Sequence, residues 1–269
     1  MGAADIKKLR TRIRSVDSTL HLTKAMELVA SSKMRRAADA MEKSIGYADA
    51  AIDIINVLAS CKETEKSVCF AQNGTNKTRL FVIAGDRGLA GGYNANIFRL
   101  VREYPGAEII PIGKRSCDRF GKETISSETV TSAELFKMAK KQCDDFSAGE
   151  FDRLGIVCTK YVSIMTQEAT FRWVLPLERS DSAKLPGIIF EPDETTVLES
   201  AVPEYVCAIL ASSVRESFAC EIAARRTAMD SAGKNAREMI DNLTLKYNRA
   251  RQSAITQEIT EIVAGGNAQ

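Results

Sequence analysis

Histidine is nearly missing. The 269-residue chain holds only His21, so Ser-His-Asp triads and histidine-rich metal sites have no material to be built from. Proline is missing from both ends: Pro105, Pro111, Pro176, Pro186, Pro192 and Pro203 all fall in the middle. Glycine is nearly as sparse in the same end segments, with Gly46 alone between Ala3 and Ile55 and Gly233 alone between Glu204 and Ala264. Net charge is small, 37 Lys and Arg against 35 Asp and Glu, which excludes a protein that coats nucleic acid through charge alone. No apolar run approaches the roughly 18 residues of a membrane span and the start has no apolar signal core, so a soluble chain with at most a peripheral membrane role is expected. The seven cysteines (Cys61, Cys69, Cys117, Cys143, Cys158, Cys207 and Cys220) include no C-x-x-C and fit no zinc module. They read as reduced, mostly buried thiols. Cys61 and Cys69 lie close enough in sequence for a redox pair.

What is present is a globular composition, 45% hydrophobic and 27% charged, which excludes wholesale disorder. In the first segment apolar residues recur at Ile6, Leu9, Ile13, Val16 and Leu20, and continue through Met26, Ala30, Met34, Ala37, Met41, Ile45, Ala48, Ile52 and Ile55. Spacings of three and four define a helical seam. A helix of ~50 residues is ~75 Å long, which points to a coiled coil. The last segment carries a matching stripe through Met229, Ala232, Ala236, Ile240, Leu243, Tyr247, Ala250 and Ala254, with Glu258 continuing the spacing and Ile255, Ile259 and Ile262 alongside. Alternating charges cover the rest of its surface. The simplest arrangement is an antiparallel pair: residues 1–60 as one helix, 204–269 as the other.

Residues 75–200 differ. Leu80–Ala84, Ile109–Ile112 and Leu154–Cys158 read as buried strands and Phe171–Leu175 as an outer strand. Asn94–Glu103 and Ala133–Phe146 between them have helical periodicity, giving the alternation of an α/β layered domain.

The loudest local motif is Gly85-Asp-Arg-Gly-Leu-Ala-Gly-Gly-Tyr-Asn94, joining a strand to a helix where a phosphate loop would sit. Its spacing is neither G-x-G-x-x-G nor G-x-x-x-x-G-K-[ST], and Gly113-Lys-Arg-Ser116 ends like the latter without its first glycine. Tight packing is the plainer reading of these glycines. The stretch Lys7–Arg14 is basic and amphipathic but lacks aromatic residues for stacking on bases. It reads as a solvated coiled-coil face or a contact for an acidic protein surface. His21 is expected to pack on or beside the stripe. Asp144 and Asp145 are placed in a polar loop with no chemistry. Neither a cofactor nor a metal site is expected.

Longer motifs carry a resemblance. His21-Leu-Thr-Lys-Ala-Met-Glu-Leu-Val-Ala-Ser-Ser-Lys-Met-Arg-Arg36, Asp86–Asn94, Arg226-Thr-Ala-Met-Asp230 and Tyr247-Asn-Arg-Ala-Arg-Gln-Ser-Ala-Ile-Thr-Gln-Glu-Ile-Thr-Glu-Ile-Val263 resemble the γ subunit of F-type ATP synthases over nearly the whole chain. Gly91–Asn94 is similar to the bacterial form, and the cysteine-bearing insertion of the chloroplast form is missing. The resemblance implies an α/β fold class: a long antiparallel coiled coil of the terminal helices plus a central Rossmann-like α/β domain. It implies a non-catalytic rotor, the central stalk that couples transmembrane proton or sodium flow to ATP synthesis in a ring of alpha and beta subunits. One copy per complex would also meet the epsilon subunit and the membrane c-ring, bind no nucleic acid, and lie peripherally on the cytoplasmic face of the membrane. By the same resemblance, Lys24, Met26, Glu27, Arg225, Arg251 and Gln252 contact a beta subunit. Arg226 stands where the family has methionine. Ile255, Ile259, Ile262 and Val263 form an apolar bearing tip, and Glu191 lies in the foot near the membrane ring. The reading from residues alone leaves two alternatives: a nucleotide-dependent enzyme using the Gly85–Gly92 loop, and a coiled-coil scaffold with a nucleotide-binding α/β domain.

Overall fold

The computed structural model describes residues 3–71, 73–180 and 188–266; Pro186 lies outside them. Two helices dominate. Helix α1 runs Ala3–Ala59 and α5 runs Glu194–Gly266. Between them come β1 (Thr78–Ile83), α2 (Tyr93–Val101), β2 (Glu108–Ile112), α3 (Lys114–Phe120), α4 (Ser132–Ser147), β3 (Arg153–Tyr161) and β4 (Gln167–Leu175), with one 3-10 turn at Val68–Phe70.

The chain divides into two compact units, residues 31–225 and residues 1–30 with 226–269. The larger is built on a four-stranded sheet of order β2-β1-β3-β4. Strands β1, β2 and β3 are parallel and β4 is antiparallel to β3. In β1 the side chains alternate between two cores. Phe81 and Ile83 join Ala48, Ile55 and Leu58 of α1, Leu135 and Phe146 of α4, and Leu198, Val206 and Leu210 of α5. Leu80 and Val82 join Ile97 and Val101 of α2. Both faces are covered, which is why β1 reads as an unbroken apolar run. Tyr104 stacks on Phe171 at 4.4 Å, with Trp173 edge-on to both, and the Arg153 guanidinium lies 4.2 Å over the Trp173 ring.

In the smaller unit the seam expected from the sequence faces inward. Leu9 lies with Met239 and Leu243 along one groove, and Gly233 lies against Leu20 and Thr23. The pairing is therefore antiparallel. Ala30, Ala236 and Ala250 are buried, so the seam is thin. Thr23, skipped by an apolar-only count between Leu20 and Met26, is buried too, its hydroxyl donating to the Leu20 carbonyl at 2.9 Å.

Several expectations are corrected. His21 is not packed: its side chain is 81% exposed, 3.8 Å from Asp17 on the next turn. Asp144 and Asp145 close α4 rather than sitting in a loop, and Asp145 pairs with Arg79. Lys114–Ser116 opens a seven-residue helix, not a truncated phosphate loop. The C-terminal helix begins at Glu194, ahead of Pro203, not after it. Asp193 caps it, accepting from the Thr196 amide at 2.9 Å and its hydroxyl at 2.8 Å. Proline at the tenth helical position removes one backbone bond, which packing of Leu198, Val202 and Val206 into the core outweighs. An 18-residue window within Glu194–Ala264 reaches a mean hydropathy of 1.4, so one helix is apolar enough by composition to cross a membrane. More than half of that window (56%) is buried inside the protein, as a core helix requires. All seven cysteines are buried. Burial, then Cys69 and Asp144, pushes Cys143 up to about 12. Burial and Glu204 raise Cys207 to about 11.

Two glycines separate opposite requirements. A Cβ on Gly233 meets nothing nearer than 3.6 Å, so Gly233→Ala is expected to raise stability by about 0.5–1 kcal/mol through helix propensity. Gly113 has φ 91° and a Cβ there would overlap the Ala84 carbonyl, so Gly113→Ala is expected to cost about 2 kcal/mol or more. Thermal unfolding followed by circular dichroism should move in opposite directions for the two variants.

Candidate functional site

In open α/β sheets the strand order reverses at a switch point, and ligands bind in the crevice outside the carboxyl ends of the strands there. Here that point lies between β1 and β3. The crevice is filled by the chain itself. Ser217 of α5 accepts the Thr159 amide at 3.1 Å through its hydroxyl, and its carbonyl accepts the Tyr93 hydroxyl at 2.8 Å. Glu216 accepts the Tyr161 amide at 2.9 Å, and the Cys220 thiol donates to the Thr159 carbonyl at 3.6 Å. Burial first, then the neighbouring Cys220 and Glu221, hold the Tyr93 hydroxyl well above its ordinary range. It is a neutral donor.

The glycine loop after β1 is held in the same way. The Glu221 carboxylate, 2% exposed, accepts the backbone amides of Asp86 at 3.1 Å and Arg87 at 3.2 Å and pairs with Arg225 one turn on. Arg225 donates to the Gly88 carbonyl from Nε at 3.3 Å and from Nη2 at 3.2 Å. Turn and carboxylate approach so closely that a Cβ on Gly85 would lie 2.8 Å from the Glu221 carboxyl carbon. The Asn94 side chain takes up the Gly85 amide at 2.9 Å.

The second phosphate-like feature, the turn into α3, is occupied by Asp86. Its carboxylate accepts the Lys114 amide at 2.9 Å, the Ser127 and Glu128 amides at 3.0 Å each, and the Ser126 hydroxyl at 2.6 Å. Burial works against its charge, but these four donors hold its carboxyl below the usual range. At each of these turns a carboxylate of the chain takes backbone donors, two amides in the glycine loop and three around the turn into α3. This geometry speaks against the nucleotide-binding alternatives. Among the described residues no group of three His, Cys, Asp or Glu is placed to hold a metal.

The residues singled out by resemblance lie in different places. In the smaller unit, Lys24 is exposed and pairs with the half-buried Glu27 at 3.0 Å, and Asp230 pairs with Lys234 at 2.8 Å. Met26 is half-buried in the seam. Beyond Ala250, which is 1% exposed, α5 continues with almost all side chains in solvent. Arg251 and Gln252 are exposed there, and Ile255, Ile259, Ile262 and Val263 are 47%, 56%, 75% and 57% exposed. Spacings of four and three put the three isoleucines on one face. In the larger unit, Glu191 is exposed just before α5, while Arg225 is turned inward, its side chain only 12% exposed. An outward contact needs an exposed guanidinium; this one is committed to Gly88 and Glu221.

Sequence reasoning missed Glu221, Ser217 and Tyr93. The signal for Glu221 was available: it is a lone carboxylate in the apolar run Phe218-Ala-Cys-Glu-Ile-Ala-Ala224, and a charge there is seldom buried without a partner.

The family model described as ATP synthase matches residues 5–268. The ATP synthase gamma chain of Ruminococcus albus is 41% identical, covering 96% of each chain. A gamma chain described as sodium ion specific, from Acetobacterium woodii, is 36% identical over 99% of each. In fold the chain is similar to a subunit of the Euglena gracilis mitochondrial ATP synthase, with a TM-score of 0.70 and 19% identity, covering 99% of this chain and 95% of that one.

Asp86 makes the site sensitive to acid. Because its pKa is lowered by folding, the stabilisation is complete above the unfolded carboxylate value of about 3.9 and is lost as pH falls through the lower folded value. Asp86→Asn is expected to cost about 1–3 kcal/mol at neutral pH, a difference from the parent that shrinks below about pH 4. Urea unfolding at a series of pH values measures it.

Proposed function

The chain belongs to the family of ATP synthase gamma chains, and we propose that it is the central-stalk rotor, with no catalytic site of its own. Transmembrane proton or sodium flow turns it, and its rotation drives ATP synthesis in a ring of alpha and beta subunits. The observation that carries this reading is the bare end of α5: a helix that continues past its partner with Ile255, Ile259, Ile262 and Val263 in solvent. Exposed isoleucines on one face are stable in an assembly that surrounds them. Arg251 and Gln252, exposed beside the tip, are free to exchange contacts with successive beta subunits, and the exposed Lys24, farther from the tip with the half-buried Met26 and Glu27 beside it, adds another such contact. Such contacts bias a neighbour with several states only if they differ between those states.

Arg225 takes a different part in this reading: it holds the glycine loop from inside. Glu191, exposed at the start of α5, belongs to the foot that meets the epsilon subunit and the membrane c-ring. The chain then reaches the cytoplasmic face of the membrane through the complex, one copy in each, and the nucleotide chemistry stays with the ring.

Co-expression with the alpha and beta subunits tests the reading. A complex that hydrolyses ATP and contains this chain is expected; alpha and beta assembling without it contradicts the proposal. Ile259→Asp is expected to weaken assembly at least about tenfold, since an unpaired carboxylate in an apolar bearing costs more than 1.4 kcal/mol. Arg251→Ala should lower ion-coupled turnover while the melting temperature of the free chain stays within about a degree, as exposed substitutions change stability little.

A further inference from the structure

The Glu221 carboxylate combines features that an ordinary pair of charges along a helix lacks. It is 2% exposed, it serves two backbone amides of another element, and a Cβ at position 85 of the turn it grips would lie 2.8 Å from its carboxyl carbon. The guanidinium beside it is bound at both ends, to the carboxylate and to the Gly88 carbonyl. Loop, carboxylate and guanidinium therefore form one closed circuit of hydrogen bonds between β1's exit and α5. Its place along the chain is informative: Arg225 is the last residue of the α/β unit on α5. Further back the helix is held to the sheet by apolar packing through Val214 and by Ser217 and Tyr93. In the last turn before the unit ends, the circuit supplies the directional bonds.

We propose that Glu221 is a positioning residue for energy coupling: it locks the Gly85–Gly88 turn to the last turn of α5 in the α/β unit, so that both move as one piece when the rotor turns. This rests on the rotor reading above. Apolar packing resists separation but permits sliding, because it has no direction. Charge-assisted bonds to fixed amides do not slide without breaking, and a broken one leaves buried donors unpaired. Releasing the turn therefore adds slack at this point, and part of each rotation is lost before it reaches the ring. ATP hydrolysis by the ring continues; ion movement per ATP falls.

The experiment uses the complete membrane-bound complex with Glu221→Gln, Glu221→Asp and the reversed pair Glu221→Arg with Arg225→Glu. Hydrogen exchange at residues 85–88 and ions moved per ATP hydrolysed are measured together. Both single variants are expected to speed exchange of the Asp86 and Arg87 amides about tenfold, the equivalent of one lost hydrogen bond, without change in β1 or β3. Both should lower the ion-to-ATP ratio, the aspartate less because it keeps the charge and loses only reach. The reversed pair restores the charge pairing but points a cation at two N–H donors, so it is expected to rescue neither readout. Rescue by the reversed pair overturns the proposal, as does a parental ion-to-ATP ratio in a variant whose loop exchanges fast. A parental complex that forms without this chain sinks the rotor reading instead, whatever the variants do.

Discussion

A buried carboxylate without partners is among the costliest groups a protein can hold, and the arrangement around Glu221 answers that demand. Two amides of the Gly85–Gly88 turn and the Arg225 guanidinium satisfy it. Much of the α/β unit follows from this requirement. The turn must come close, so Gly85 carries no side chain. Three of its amides, on Gly85, Asp86 and Arg87, are already taken by side chains of the chain itself. Helix α5 must cross the ends of β1 and β3, so the crevice that a doubly wound sheet offers to a ligand is closed by Ser217, Glu216 and Cys220. The fold keeps the plan of a nucleotide-binding domain and uses its binding place as a joint to a helix.

That helix works in two environments. Its first part is largely apolar because it packs into one core with the sheet, α1 and α4, and this gives it the composition of a membrane span. Its later part shows a narrow seam of Met229, Gly233, Ala236, Leu243 and Ala250. Small residues there let α1 approach closely, and charged residues cover the remaining surface. Past Ala250 the seam ends and apolar side chains reappear in solvent. A sequence-wide average of composition hides all three regimes, since each offsets the others.

The long helices and their seam were legible because period and the lack of proline act together over many residues. The central strands β1 and β3 were legible because both faces are buried, which gives each an apolar run, and β4 stood apart as an edge strand with polar residues between its apolar ones. Thr23 escaped because its hydroxyl bonds to its own helix backbone, which lets a polar residue sit in an apolar seam. The start of α5 escaped because Pro203 is a helix breaker in isolation, while its core contacts decide in context. His21 was misplaced because seam and flank differ by one position at that point of the helix. Glu221 and Arg225 were hardest: their partners lie more than 130 residues away in sequence, and only the closed sheet brings them together. The glycine loop was read as tight packing, and the buried carboxylate packed against it was not foreseen.

The central claim is mechanical, that this chain turns as a shaft while its neighbours do the chemistry. A probe fixed to an exposed residue of the α/β unit, such as Lys160, in a surface-immobilised complex tests it directly. The account predicts unidirectional rotation of the probe that starts on adding ATP and stops when ATP is consumed. Sustained ATP hydrolysis by the same complexes with the probe stationary would contradict it.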